Sequence, residues 1–288
     1  MEITGKCQLR CAHCYAGSGP TGTDGAMTAE DWLSVIDQAA GLGTTMVQFI
    51  GGEPTLNRDL PRLVEHALGR GVEVEVFSNL VHVSPALWDV FERPGVRLAT
   101  SYYTDNAAQH EAITQGRDSY ARTTANIAEA LRRSIPLRVG VIDVEDGQRV
   151  AEARRALVDL GVLGEVRVDH LRQVGRGVRE QTPSVDQLCG NCTHGTVAIS
   201  PTGDVWPCVF SRWLPVGNVR QEALAEIITG PRMVETTAAL SASFVSRPNM
   251  GPCDPRCGPN CSPACNPSCW PTGAGPCGPK GGCQPNYD

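Results

Sequence analysis

Between residue 28 and about residue 169, apolar positions spaced three and four apart alternate with short β-branched runs, the pattern of helices and strands in regular succession. Trp32, Leu33, Val35, Ile36, Ala39 and Ala40 form one helical stripe, and MVQFI at 46–50 reads as the strand that follows. Leu60, Leu63, Val64, Ala67 and Leu68 mark the next helix, followed by the strand VEVEVF at 72–77. A helix at 87–91, the strand VRLAT at 96–100, a helix around 127–131, LRVGVI at 137–142, a helix at 150–160 and VRV at 166–168 continue the series. With the short EIT at 2–4 in front, the chain carries about six strand–helix units, which predicts a parallel sheet. Periodicity fits an incomplete barrel and a doubly wound sheet equally.

After Gln173 the pattern changes. VAIS at 197–200 and VWPCV at 205–209 flank Pro201, Thr202, Gly203 and Asp204, whose turn chemistry predicts a β-hairpin, and a short helix is expected over 221–229. Beyond Arg247, Gly, Pro and Cys dominate, so that segment needs a staple other than an apolar core. The expected division is a core over 1–180 and a cysteine-rich part over 181–288.

Charge and composition narrow the chemistry. The net charge of −6, without a basic stripe or interleaved aromatics, argues against a nucleic-acid partner. No apolar run reaches the roughly 18 residues of a membrane span, and the start lacks the basic-then-apolar pattern of a secretory signal. The expected location is therefore cytoplasmic, where thiols stay reduced. There, thirteen cysteines point to metal or cluster ligation rather than to disulfides. Three lie within 7–14, ten within 189–283, and none between.

Cys7, Cys11 and Cys14 share one short loop after the first expected strand, the edge where parallel strand–helix folds place active sites. Three thiolates can hold three irons of a 4Fe-4S cluster and leave the fourth iron open. A zinc site completed by His13 is the alternative, although neighbouring residues rarely reach one metal together.

Cys-x3-Cys-x2-Cys followed by Tyr15 resembles the signature of the radical S-adenosylmethionine (SAM) superfamily, and Gly51-Gly52-Glu53-Pro54 after the second strand resembles that family's GGEP motif. The resemblance selects an α/β fold, a partial (β/α)6 TIM-like barrel. It implies that the amino and carboxylate groups of SAM chelate the open iron, and that reductive cleavage gives a 5′-deoxyadenosyl radical that abstracts substrate hydrogen. Two glycines permit a close backbone approach, and Glu53 offers a carboxylate to the ammonium; read alone, the motif is also a plain strand-to-helix turn. By position, Ser78 and Asn79 correspond to a pair facing the ribose, Ser101 to a strand-end serine, and Arg176 to a contact with the SAM carboxylate. Ordinary capping and a solvated arginine are the competing readings. Val141 and Ile142 could flank adenine or fill core, and His110 is expected to be structural.

The tail resembles the SPASM extension of peptide-modifying radical SAM enzymes. Cys192, ten residues, Gly203, four residues and Cys208 fit its opening pattern, with Cys189 in front, and the hairpin would bring Cys208 back towards the other two. The second half departs from the family: Cys253, Cys257, Cys261, Cys265 and Cys269 recur every four residues, then come Cys277 and Cys283. Pro255, Pro259, Pro263 and Pro267 forbid a helix there, so turns must carry the thiols. Ten tail cysteines suffice for two auxiliary 4Fe-4S clusters, with a zinc knuckle as the alternative.

The resemblance implies hydrogen abstraction from a ribosomal peptide, ending in a crosslink, an epimer or another oxidative change, with an electron donor as partner. In an epimerisation a spare tail thiol would return the hydrogen. Val209 stands where sulfatase-maturing relatives carry an aspartate, which weakens a formylglycine assignment. The chain begins almost on its first strand, so leader recognition is expected from a separate protein or another surface, and the abrupt start suggests that a few natural residues precede it. A small-molecule dehydrogenase and a non-catalytic metal-binding module are the rival functions.

Overall fold

Strand order settles the choice between barrel and doubly wound sheet. In the computed structural model, which describes residues 1–163, 166–179, 182–190, 192 and 195–245, five parallel strands follow one another in space as they do in sequence. They are β1 (Met46–Phe49), β2 (Glu73–Phe77), β3 (Val96–Tyr102), β4 (Leu137–Asp143) and β5 (Arg167–His170). A doubly wound sheet needs a reversal of strand order; this sheet has none, so right-handed crossovers put every helix on one face and the sheet curls into an open barrel. The expected strand at 2–4 is reduced to a parallel bridge between Glu2 and Ile50. Ile3 N donates to Ile50 O at 2.8 Å and Gly52 N to Thr4 O at 2.7 Å, so residues 1–6 still serve as a sixth stave beside β1.

The helices are α1 (Ala29–Gly41), α2 (Leu60–Gly69), α3 (Pro85–Phe91), α4 (Ala107–Thr114), α5 (Ser119–Arg132) and α6 (Val150–Asp159). Thr28 and Asp31 form a capping box that starts α1, which buries Trp32, Val35, Ile36 and Ala39. Leu60, Leu63, Val64 and Ala67 of α2 pack into the same core as Val74, Val76, Leu98, Tyr102, Val139 and Val141. Strand alternation then turns Gln48, Glu75, Arg97 and Arg138 to the concave face. There Arg138 forks onto Glu75 at 2.8 and 2.7 Å, and Gln48 and Arg97 close the layer.

The predicted hairpin is present as β6 (Ala198–Ile199) and β7 (Asp204–Trp206), turned at Gly203 (φ +90°). A third strand, β8 (Gly217–Asn218), joins it, followed by α7 (Leu224–Thr229) within the expected 221–229. Two helices escape the apolar periodicity of the sequence. Helix α4 lacks a clear apolar stripe, and α8 (Pro231–Val245) is rich in Ala, Ser and Thr yet buries Met233, Leu240 and Phe244. Ile199, Val205, Val216, Leu224 and Ile227 continue the barrel's core, and Glu2 N donates to Ile199 O at 2.8 Å, which docks the small sheet against the first stave. Among the described residues, no helix is long and apolar enough to cross a membrane.

Candidate functional site

The front cysteine loop opens and closes on one bridge, Lys6 to Gly19, with Cys7 N donating to Gly19 O at 3.1 Å. Helix α4 fixes its middle: the carbonyls of Ile113 and Thr114, left over at the helix end, accept from Ala12 N at 3.0 Å and Arg10 N at 3.2 Å. Gly175-Arg176-Gly177 fixes its far side. Arg176 N donates to Cys14 O at 2.9 Å, and its guanidinium donates to Cys11 O at 3.0 Å and Ser18 O at 2.6 Å. Gly175 sits at φ +59° with Tyr15 O 2.2 Å from where a Cβ would be, so no other residue permits this approach. Arg176, which by resemblance contacts the SAM carboxylate and by composition could be solvated, clamps the cysteine loop in this structure.

Cys7 is buried, and its sulfur accepts from Leu9 N at 3.4 Å and Asn79 Nδ2 at 3.6 Å. Burial pushes the Cys7 thiol up to about 11, and burial together with Cys14 and Cys7 pushes Cys11 up to about 12. Cys7 and Cys11 therefore need a cation beside them to be held as thiolates. His13 does not join them: its ring packs edge-on against Tyr103 with centroids 5.0 Å apart. Among the described residues, no group of three or more His, Cys, Asp and Glu gathers on one metal-ion position. N–H donors aimed at a cysteine sulfur, and three thiols without histidine, fit an iron–sulfur group.

At the neighbouring stave, Gly51 and Gly52 make their close approach to the chain itself. Cβ atoms there would lie 2.3 Å from Thr4 O and 2.1 Å from Lys6 O. Pro54 then opens a single 3-10 turn, Pro54–Leu56, capped by Glu53. Glu53 is fully buried: Oε1 accepts from Thr55 N at 3.1 Å, Thr55 Oγ1 at 2.7 Å and Ser78 Oγ at 2.8 Å, and Oε2 accepts from Asn79 N at 2.7 Å. Burial raises its pKa, against the pull of these bonds. Among the described residues no cation pairs with it. A buried carboxylate held by neutral donors, with lone-pair capacity left on Oε2, fits an incoming ammonium.

Asn79 joins the two motifs. Its amide exchanges hydrogen bonds with Gln8 at 3.0 and 3.3 Å while reaching Cys7, and Thr123 of α5 holds its carbonyl at 2.9 Å. Gln8, Thr55 and Thr123 escaped the sequence reading, although Gln8 and Thr55 lie inside or beside its motifs. Ser101 meets the hydroxyl of Tyr103, whose phenol is raised by burial and by Cys11, Cys14 and Cys7. Val141 lies in the helix-facing core, opposite in alternation to Ile142. His110 is buried among Tyr102, Tyr103 and Tyr120, with Nδ1 3.1 Å from Ser119 Oγ.

A second thiol group lies under α8. The hairpin returns Cys208 to Cys192, with sulfurs 3.3 Å apart, and the Cys192 thiol is pushed up by Cys189 and Cys208. The hydrogen bond donated by Cys192 in turn lowers the pKa of the Cys208 thiol. Leu188, Leu240 and Phe244 pack around Cys192, and none of the six described cysteines forms a disulfide. Cys253, Cys257, Cys261, Cys265, Cys269, Cys277 and Cys283 lie outside the described residues. Tyr15 packs on Phe210 with ring centroids 5.0 Å apart, so the loop residue after Cys14 touches the segment after Cys208.

Comparisons with known proteins agree with this layout. A sequence model described as the Radical SAM superfamily matches residues 1–157, and one described as an iron-sulfur cluster-binding domain, SPASM, matches residues 189–262. The PqqA peptide cyclase of Xanthomonas campestris pv. campestris (strain 8004) is 26% identical over 272 residues, covering 79% of this chain and 72% of the cyclase. The PqqA peptide cyclase of Streptomyces rochei is 26% identical over 272 residues, with 79% and 74% covered. Among solved structures, Streptococcus suis SuiB bound to S-adenosylmethionine superposes with a TM-score of 0.65 at 15% identity, covering 85% of this chain and 66% of SuiB. Native anSMEcpe with bound AdoMet and Kp18Cys peptide gives a TM-score of 0.63 at 12% identity, covering 83% and 82%. At these identities the two structures establish the fold.

Proposed function

The chain belongs to the radical SAM superfamily, and from that premise we propose that it abstracts hydrogen from a ribosomal peptide, leaving a crosslink, an epimer or another oxidative modification. The observation that carries the reading is the buried, cation-free carboxylate of Glu53, tied through Asn79 to the sulfur of Cys7. When bound, the cluster and S-adenosylmethionine supply a 5′-deoxyadenosyl radical. The chain's own residues do the rest. Cys7, Cys11 and Cys14 hold the SAM-binding cluster, and Glu53, on the turn shaped by Gly51, Gly52 and Pro54, receives the ammonium. Ser78, Asn79 and Ser101 line the neighbouring strand ends, and Arg176 keeps the cysteine loop in place.

The core spans 1–180 and the cysteine-rich part 181–288. In the latter, Cys189, Cys192 and Cys208 hold one auxiliary cluster, and the cysteines from Cys253 to Cys283 complete it and a second one. Because curated relatives are named peptide cyclases, a peptide is favoured over a small-molecule substrate. A leader-binding protein and an electron donor are the remaining partners, and the cytoplasm is the setting.

The test is anaerobic reconstitution with iron and sulfide, reduction in the presence of SAM, and mass spectrometry of the short precursor peptide encoded beside the gene. Formation of 5′-deoxyadenosine with a mass change in the peptide is expected. Purified protein that holds only zinc and makes no 5′-deoxyadenosine would overturn the reading.

A further inference from the structure

Gln8 follows Cys7 in the chain, yet its side chain turns to Asn79 at the end of β2. The two carboxamides pair reciprocally: Gln8 Nε2 donates to Asn79 Oδ1 at 3.0 Å, and Asn79 Nδ2 donates to Gln8 Oε1 at 3.3 Å. Asn79 Oδ1 also accepts from Val81 N at 2.9 Å, and Nδ2 reaches Cys7 Sγ at 3.6 Å. Val81 N can only donate, so the atom it meets is the amide oxygen and the atom facing Cys7 is the nitrogen. All four hydrogen-bonding positions of the Asn79 carboxamide are then filled, two of them by Gln8.

The backbone of Asn79 is a fixed post. Its N–H is held by Glu53 Oε2 at 2.7 Å and its carbonyl by Thr123 Oγ1 at 2.9 Å. The carboxamide still turns about its last torsion, which has broad minima, and the bond from Val81 restrains one of its atoms only. The reciprocal pair with Gln8 restrains both ends of the plane. Sulfur is the weaker acceptor, so once Gln8 Oε1 takes one N–H, the planar geometry leaves the other for Cys7. Leu9 N, the second donor to Cys7 among the described residues, is a backbone group at 3.4 Å. The Cys7 thiol gives its own proton to Gln8 Oε1 at 3.8 Å. A thiolate ligand has no proton to give, and Oε1 then keeps Asn79 as its donor.

We propose that Gln8 is a positioning residue: it locks the plane of the Asn79 carboxamide so that one N–H stays on Cys7 Sγ, and through that bond it sets the reduction potential of the front cluster. The inference rests on reading Cys7, Cys11 and Cys14 as ligands of that cluster. A hydrogen bond to ligand sulfur favours the more negative, reduced state and raises the potential. Arg10 and Ala12 provide the contrast. Their main-chain bonds to the end of α4 fix the path of the loop and leave the direction of the Asn79 amide unset.

The experiment is a double-mutant cycle of Gln8→Met and Asn79→Ala in the full chain, read in two ways. Denaturant unfolding before iron loading tests the pairing: each single variant is expected to lose stability, and the double variant to lose less than the sum. A redox titration followed by electron paramagnetic resonance after anaerobic reconstitution tests the role, the relevant signal being the one that disappears in Cys7→Ala. Gln8→Met is expected to keep the iron content, to lower the midpoint of that signal, and to leave it unmoved once Asn79 is already alanine. Gln8→Glu sets a carboxylate oxygen against Asn79 Oδ1 and is expected to lower the midpoint further. Additive stability losses would overturn the pairing, and the inference with it. Coupled stability with an unchanged midpoint, or the same midpoint shift with and without the Asn79 side chain, would overturn the inference and leave the cluster reading intact. Absence of any Cys7-dependent signal in iron-loaded wild type would overturn the cluster reading itself.

Discussion

Glu53 and Asn79 stand 26 residues apart in the chain and 2.7 Å apart in the fold, where the Asn79 N–H donates to Glu53 Oε2. That bond closes a track from the end of β1 to the end of β2. The Asn79 side chain then extends the track to Cys7. A carboxylate and a thiol that the sequence separates into two motifs are thereby one unit.

Glu53→Gln removes the charge while nearly keeping the shape. Loss of a charge-assisted hydrogen bond of about 1.5–3 kcal/mol predicts roughly tenfold to hundredfold weaker SAM binding, with iron content unchanged. Equilibrium dialysis of SAM against the reconstituted variant checks this.

Asn79→Ala removes the donor to Cys7 and strands the Gln8 amide and Val81 N, both of which it now satisfies. A cost of about 1–3 kcal/mol in stability is expected, together with a lower potential for the front cluster. Thermal unfolding and a redox titration read the two effects separately.

Arg176→Lys keeps the charge but cannot reach Cys11 O and Ser18 O together, since the forked geometry is lost. The expected outcome is reduced iron retention at the front site with a nearly normal circular dichroism spectrum. Gly175→Ala should be harsher, because its Cβ collides with Tyr15 O.

Glu75 gives a pH dependence of stability. Its burial opposes ionisation, yet the forked Arg138, with Gln48 and Arg97, leaves the folded pKa below the usual carboxylate range. A depressed carboxyl contributes stability that is present above its unfolded pKa of about 4.3 and is lost as pH falls through the folded value. Denaturant unfolding of the wild type should therefore lose stability on acidification below that range. Glu75→Gln should be less stable near neutrality and flatter over the acid limb.

Much of this was legible in the chain, and the exceptions have physical causes. Strongly periodic segments such as Trp32 to Ala39, and β-branched runs such as VEVEVF, are set by burial on one face, so local pattern finds them. Helix α4 escaped because its buried residues, His110, Ile113 and Thr114, include two polar ones that pack against other side chains rather than form an apolar stripe. That helix is what holds Arg10 and Ala12 of the cysteine loop. Cys7, Cys11, Glu53 and Asn79 were recognisable by motif, but the pairing of Gln8 with Asn79 is a tertiary contact with no local signal. The hold of Arg176 on Cys11 O and Ser18 O carries no local signal either, because spacing identifies a residue's strand end, not the direction its side chain takes.

The central claim is that Cys7, Cys11 and Cys14 hold the cluster at which SAM is cleaved, separately from the tail thiols. Its most direct test is 5′-deoxyadenosine formation by reduced, iron-loaded protein, compared between wild type and a variant with Cys7→Ala, Cys11→Ala and Cys14→Ala together. The account predicts product from the wild type and none from the variant, although the variant still carries tail iron. Equal product from both, or none from iron-loaded wild type, would contradict it.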